Sequence, residues 1–225
     1  MDAANLGMRA LAQAAKNASR QVAVAKAEVK DRALRAIARQ LRAATPDILA
    51  ANEEDIATAR KAEKGAAFID RLALNPKRVE EMAAAVEEIV SLKDPIGEVT
   101  ERWSRPNGLK VEKVRLPLGV VMMIYESRPN VTSDAAALCL KSGNAVILRG
   151  GRESIHSNRA ILVALHQGLR EAGLPEEAVT LVPTTDRDAM MELLKLEGLI
   201  DLCIPRGGEG LIQTVVENAR IPVVK

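Results

Sequence analysis

The chain has 225 residues, and its 32 basic and 30 acidic side chains leave a formal net charge of only +2 at pH 7. Charges mixed along the chain, with one Phe, one Trp and one Tyr, argue against a nucleic-acid partner. No apolar run approaches the roughly 20 residues that cross a bilayer, so we expect a soluble, cytoplasmic protein with no membrane partner.

Helical periodicity dominates residues 1–95. Two helices are expected to begin at Thr45-Pro46 and Asn75-Pro76, where a side-chain cap precedes a proline at the first helical position. We interpret residues 1–95 as N-terminal helices that pack on the following domain. The first apolar stripe consists of Val29, Ala33, Ile37 and Leu41, which recur at every fourth position.

Residues 96–118 have the pattern of a β-hairpin. Extended segments at Val99 to Trp103 and Leu109 to Leu116 flank Arg105-Pro106-Asn107-Gly108. An Asn-Gly pair between such segments is typical of a hairpin turn. An ordinary hairpin that covers its own domain fits this pattern as well as one that pairs with another subunit.

Residues 119–225 alternate apolar strand-like runs with helices, which predicts an α/β fold with a parallel sheet covered on both faces. The expected strands are Gly119 to Tyr125, Ala145 to Leu148, Val179 to Val182, Leu199 to Ile204 and Ile221 to Val224. The expected helices lie near Thr132 to Lys141, Ser154 to Ala172, Arg187 to Leu196 and Glu209 to Ala219.

The segments that follow these strands are the candidate site, because ligands of open parallel sheets bind beyond the carboxyl ends of the strands. Gly150-Gly151 and Gly207-Gly208 allow close backbone approach, and each precedes a helix whose first N–H groups can face a phosphate. Neighbouring arginines add charge-assisted contacts to an anion. A single Gly-Gly turn is also compatible with an ordinary connection between elements, with the nearby arginines facing only solvent.

Long motifs in this domain resemble the cofactor domain of the aldehyde dehydrogenase superfamily, and the resemblance covers the whole chain. Within that superfamily, the γ-glutamyl phosphate reductases are matched by Tyr125-Glu126-Ser127-Arg128-Pro129-Asn130-Val131-Thr132 and by Leu148-Arg149-Gly150-Gly151-Arg152-Glu153-Ser154. The broader motifs are Pro117 to Val121, Gly143 to Arg149 and Glu171 to Pro175. The resemblance implies a Rossmann-like sheet of the aldehyde dehydrogenase type with an oligomerisation hairpin at residues 96–118, and hence a homo-oligomer.

The resemblance also implies roles for individual residues. Arg149 stands where the superfamily usually has a lysine that contacts the adenosine ribose, and with Arg152 it favours NADP over NAD. The ribose-binding glutamate of the superfamily aligns near Arg152 or Glu153. The predicted cofactor-binding residues are Tyr125, Glu126, Arg149, Gly150, Gly151, Arg152, Glu153, Pro183, Arg206, Gly207 and Gly208. The predicted oxyanion or substrate contacts are Ser127, Arg128 and Asn130.

The implied reaction is NADPH-dependent reduction of L-glutamate 5-phosphate through a cysteine thioester, in proline biosynthesis. Cys139 and Cys203 lie in apolar segments and are expected to be core residues, so the nucleophile would lie beyond Lys225 and this chain alone would be inactive. A non-catalytic cofactor-binding or assembly module, or a dehydrogenase of another aldehyde or acyl phosphate, are the alternatives.

No metal site is predicted. Cys139 and Cys203 are 64 positions apart, which fits neither a disulfide framework nor a paired metal motif. His156 and His166 fall on one predicted helix without a partner at ligand spacing, and we expect both to face solvent.

Overall fold

The computed structural model describes residues 7–225, so residues 1–6 of the predicted N-terminal segment lie outside the described part of the chain. The first helices are α1 (Met8–Ala23), α2 (Ala27–Ala43), α3 (Thr45–Lys61), α4 (Ala66–Leu72) and α5 (Pro76–Ser91). The hairpin strands are β1 (Val99–Ser104) and β2 (Lys110–Val114). The remaining elements are β3 (Val120–Tyr125), α6 (Asn130–Lys141), β4 (Ala145–Arg149), α7 (Ile155–Ala172), β5 (Val179–Leu181), α8 (Arg187–Leu193), β6 (Leu202–Arg206) and α9 (Glu209–Asn218).

The central sheet has the strand order β5-β4-β3-β6, and every pairing in it is parallel. This confirms the predicted α/β class. The expected last strand at Ile221 to Val224 is wrong, since it forms a single bridge between Val223 and Cys203. Pro222 has no N–H for a ladder, and its carbonyl accepts one bond from the Cys203 N–H at 2.8 Å.

Both faces of the sheet are covered, because successive strand residues point to opposite sides. In β4, Val146 and Leu148 pack into a core with α2, α5, α6 and α7, whereas Ala145 and Ile147 pack into a core with α1 and α8. The early helices therefore share both cores with the sheet, and the division of the chain at residues 95 and 118 stays a prediction. No helix within residues 7–225 has both the length and the apolar character needed to traverse a membrane.

The two predicted helix caps have different outcomes. The Asn75 side-chain oxygen accepts the Arg78 N–H at 2.8 Å, which confirms the cap of α5. Thr45 is not a cap. It lies inside α3, and its hydroxyl donates back to the Arg42 carbonyl of α2 at 2.8 Å, because only Ala44 separates the two helices.

The predicted hairpin is confirmed, with Trp103 opposite Val111 in the antiparallel register. Gly108 closes its turn with φ of 84°, a conformation that glycine adopts without strain. The Gly108 N–H donates to the Arg105 carbonyl at 2.9 Å.

A buried carboxylate joins α3 to the start of α7. Asp55 is 2% exposed, and its Oδ2 accepts the Ser157 N–H at 2.8 Å and the Ser157 hydroxyl at 2.6 Å. Burial raises the pKa of Asp55, while the hydrogen bonds from Ser157 oppose that rise. This contact fixes the beginning of α7 beside the turn that follows β4.

We expect Asp55→Ala to lower the free energy of unfolding by about 1–3 kcal/mol, because two donors of Ser157 lose their acceptor in a buried place. Urea denaturation measures this change. The matched control is Asp47→Ala, an exposed carboxylate in the first turn of α3, with an expected loss below about 1 kcal/mol. Equal losses for the two variants would contradict this assignment.

Gly168 of α7 allows this helix to pack closely against Ile37 of α2. A Cβ on Gly168 would stand 2.5 Å from Ile37 Cγ1 and 2.6 Å from the Ile37 backbone nitrogen. Backbone cannot yield as a flexible side chain does, so α7 requires glycine at this position.

We expect Gly168→Ala to destabilise the fold by about 1–3 kcal/mol, which outweighs the helix propensity gained with alanine. Gly210→Ala in α9 is the control, because a Cβ there meets nothing within 4 Å. Thermal unfolding should show a lower Tm for Gly168→Ala and an unchanged or higher Tm for Gly210→Ala; the reverse order would refute the close-packing account.

Candidate functional site

The register of the sheet brings the ends of three strands to one edge. Ile124 of β3 pairs with Arg149 of β4 and with Pro205 of β6, and Tyr125 pairs with Arg206. The segments that follow β3, β4 and β6 therefore leave the sheet side by side, as the parallel arrangement requires.

A cavity of about 1240 Å³ lies beyond this edge. The predicted site residues that line it are Tyr125, Glu126, Ser127, Arg128, Asn130, Arg152, Glu153, Arg206, Gly207 and Gly208. Arg149, Gly150, Gly151 and Pro183 are not among its lining residues. Ten of the predicted residues are thus brought together, and their roles stay predictions.

Glu126 occupies the start of α9. Its Oε2 accepts the Gly208 N–H at 3.0 Å, and a Cβ on Gly207 would stand 2.5 Å from the same oxygen. Gly207 is therefore required for the carboxylate to approach the helix. The N-terminus of α9 holds a negative oxygen in this structure, as helix N-termini favour.

Ser127 has a left-handed backbone, with φ of 50°, and Glu153 holds it there. Glu153 Oε1 accepts the Ser127 N–H at 2.7 Å and the Ser127 hydroxyl at 3.0 Å. A Cβ on Gly151 would overlap the Glu153 carboxylate. Gly151 thus makes room for the carboxylate that ties the loop after β3 to the turn after β4.

Arg149 is half-buried and turns toward the loop after β5. Its Nη2 donates to the Thr185 carbonyl at 2.9 Å, and burial lowers its pKa. Its buried Nε has no hydrogen-bond partner within residues 7–225. Nearby, Gly150 packs against Tyr125 and Asn158, so a side chain at Gly150 has no room.

Neither cysteine belongs to the cavity. Burial raises the pKa of the Cys139 and Cys203 thiols to about 12 in each case, which leaves almost no thiolate at neutral pH. Within residues 7–225 we find no cluster of His, Cys, Asp and Glu suited to a metal ion.

The expectation that both histidines face solvent is wrong for His166. Its side chain is 23% exposed, its Nε2 lies 2.8 Å from the Val179 carbonyl oxygen, and its Nδ1 lies 3.1 Å from Glu176 Oε2. His166 therefore links α7 to β5. His156 is 45% exposed beside Glu54.

Sequence reasoning missed one wall of the cavity. Lys64, Phe68 and Arg71 come from α4 and the loop before it, and Asp134 comes from α6. The sequence gives no sign of which distant loops these residues meet, because that depends on tertiary packing.

Comparisons with known proteins agree with this architecture. The model of the aldehyde dehydrogenase family matches residues 3–219. Proteins named gamma-glutamyl phosphate reductase from Anaeromyxobacter sp. and Afipia carboxidovorans are 56% and 57% identical over 97% and 96% of this chain. The chain spans about half of these relatives, 51% of each.

Two solved gamma-glutamyl phosphate reductases have the same fold. The structure from Thermotoga maritima has a TM-score of 0.94 and 41% identity, and it matches 97% of this chain with 53% of its own. The structure from Saccharomyces cerevisiae has a TM-score of 0.89 and 29% identity, and it matches 100% of this chain with 56% of its own. The chain therefore belongs to the aldehyde dehydrogenase family.

Proposed function

We propose that this chain is the nucleotide-binding part of an NADP-dependent reductase that converts L-glutamate 5-phosphate to L-glutamate 5-semialdehyde in proline biosynthesis. The names of its relatives support the reaction. The observation that carries the cofactor assignment is the cavity at the carboxyl edge of the sheet, which Arg128, Arg152 and Arg206 line together with Gly207 and Gly208 at the N-terminus of α9.

The residues present fit a phosphorylated nucleotide. Glu126 already places a negative oxygen on the Gly208 N–H, so this N–H suits a pyrophosphate oxygen once Glu126 moves aside. Arg149 does not line the cavity, but its buried Nε has no partner within residues 7–225, and a ribose or 2′-phosphate oxygen would satisfy this donor once the side chain turned toward the cavity. Bound NADPH would supply the hydride for the reduction.

We propose different roles for Ser127 and Arg128 near the substrate. Both donors of Ser127 are engaged by Glu153, so Ser127 fixes the shape of its loop rather than serving as an oxyanion donor. Arg128 is exposed at the cavity and carries a guanidinium suited to an anionic substrate oxygen.

Neither cysteine of this chain is suited to be the nucleophile of this reaction. The thiols of Cys139 and Cys203 are kept protonated by burial, and neither lines the cavity. We therefore propose that the cysteine that forms the thioester lies beyond Lys225, and that residues 1–225 alone do not turn over substrate. Both cysteines are free thiols, which supports a reducing cytoplasm.

We expect Arg152→Ala to weaken NADPH binding by about tenfold or more and NADH binding far less, because a charge-assisted contact to the 2′-phosphate is lost. Calorimetric titration with NADPH and with NADH measures the two dissociation constants for each variant. Arg35→Ala, an exposed arginine of α2 outside the cavity, is the matched control and should leave both affinities unchanged.

Three results would contradict the proposal in distinct ways. If the protein did not bind NADPH, the cofactor assignment would be refuted. If it bound NADH as tightly as NADPH, the preference for NADP would be refuted. NADPH binding by a full-length protein that does not reduce L-glutamate 5-phosphate would favour the assembly-module alternative or another acyl phosphate.

We further propose that the hairpin at residues 96–118 joins the protein into a homo-oligomer. Apolar side chains are exposed along it, with Trp103 40%, Val114 42% and Leu116 74% accessible. Among residues 7–225, each hairpin strand pairs only with the other, and such open edges favour pairing with another chain.

Trp103→Glu should shift the protein to a smaller species in sedimentation velocity, because a charge would be buried in the subunit interface. Val163→Glu, at an exposed valine of α7, is the control and should leave the sedimentation coefficient unchanged. An unchanged assembly in Trp103→Glu would exclude this surface as the contact.

A further inference from the structure

Four residues line two cavities at once. Arg71, Arg128, Asn130 and Asp134 belong both to the cavity of about 1240 Å³ and to a neighbouring cavity of about 330 Å³. They therefore form the junction between the two spaces. The smaller cavity is otherwise lined mainly by residues of α4, α5 and the segment between them.

Asp134 is the negative group of this junction. It lies half-buried on α6, and its Oδ2 accepts the amide of Asn130 at 2.9 Å. It makes no ion pair with any residue in the range 7–225. Burial raises the pKa of Asp134, which is the expected state of a carboxylate that lacks a cationic partner.

Arg71 and Arg128 are the positive groups. Both are exposed. The Arg71 Nε donates to the Ala67 carbonyl of its own helix at 3.2 Å, while the Arg128 side chain makes no hydrogen bond or ion pair within residues 7–225. Arg78, which lines the smaller cavity, differs because it is held by Asp70 and by the Ala73 carbonyl.

The other carboxylates of the large cavity are engaged elsewhere. Glu126 accepts the Gly208 N–H, and Glu153 accepts both donors of Ser127. These two carboxylates hold the loops of the proposed nucleotide site. Within residues 7–225, Asp134 is the one carboxylate that lines both cavities, together with Arg71 and Arg128.

We propose that this junction binds the head of an α-amino acid, with Asp134 pairing with the α-ammonium and Arg71 and Arg128 binding the α-carboxylate. One acid beside two guanidinium groups complements a zwitterion, and a bidentate arginine suits a carboxylate. The inference rests on the proposed function, since it identifies where the glutamyl part of L-glutamate 5-phosphate is recognised. It adds Asp134 and Arg71 as residues that determine specificity.

The test compares L-glutamate with glutarate, which has both carboxylates and lacks the ammonium. Calorimetric titration of the full-length protein should show tighter binding of L-glutamate. Asp134→Asn should weaken L-glutamate binding by about 30-fold or more and leave glutarate binding nearly unchanged, because only L-glutamate loses a charge partner. Arg71→Met should weaken both ligands by about tenfold.

Matched controls are Asp188→Asn and Arg35→Met, exposed residues that line neither cavity. Both should bind L-glutamate as the unmodified protein does. Arg71 is exposed, so Arg71→Met decides the matter if Asp134→Asn alters the near-UV circular dichroism spectrum. Equal losses for both ligands in Arg71→Met support the site, and unchanged affinities overturn it.

The inference is overturned if the unmodified protein does not prefer L-glutamate to glutarate, or if Asp134→Asn keeps that preference. NADPH titration of the same samples distinguishes failure of the amino-acid site from failure of the nucleotide site. Retained NADPH binding without amino-acid discrimination removes only this inference, whereas loss of NADPH binding removes the proposed nucleotide site.

Discussion

Parallel pairing of β3 with both β4 and β6 is the constraint on which the candidate site depends. The pairs Ile124–Arg149 and Ile124–Pro205 bring three loops to one edge of the sheet. An antiparallel partner would send its loop to the opposite edge. Buried aliphatic side chains on both faces hold this register, so the core positions the polar groups of the site.

Carboxylates join the loops once the sheet has placed them together. Glu153 fixes Ser127 in a left-handed conformation, and Glu126 reaches the first turn of α9. Each contact needs a glycine, Gly151 for the first and Gly207 for the second. The Gly-Gly turns therefore make room for these carboxylates beside the backbone.

The sequence predicted the parts of the fold that repeat locally. Ala33, Ile37 and Leu41 are fully buried on α2, as the four-residue spacing indicated, and the apolar runs before Tyr125 and Arg149 are central strands. The start of α3 at Thr45 was predicted correctly, but the side-chain cap at Thr45 and the last strand were not. The Thr45 hydroxyl donates to the Arg42 carbonyl of the preceding helix, and residues 221–224 make one bridge because Pro222 lacks an N–H.

The sequence singled out cavity residues in family motifs and at strand ends. It did not single out cavity residues from α4, which lies far from these loops along the chain. Arg149 lies in a family motif and Pro183 follows a predicted strand, yet the Arg149 side chain donates to the Thr185 carbonyl and the Pro183 carbonyl accepts a bond from Arg159. Arg71 meets the loop after β3 only through tertiary packing. No local pattern encodes that contact, because it depends on how α3 packs on α7 and how α4 packs on α3.

Hydrogen–deuterium exchange of the full-length protein with and without NADPH tests the central claim most directly. Convergence of the three loops on one nucleotide predicts added protection in segments 126–128, 151–153 and 207–210 together, with little change in the hairpin at residues 96–118. Protection confined to one of these segments, or found elsewhere in the chain, would contradict a single nucleotide site at the carboxyl edge of the sheet.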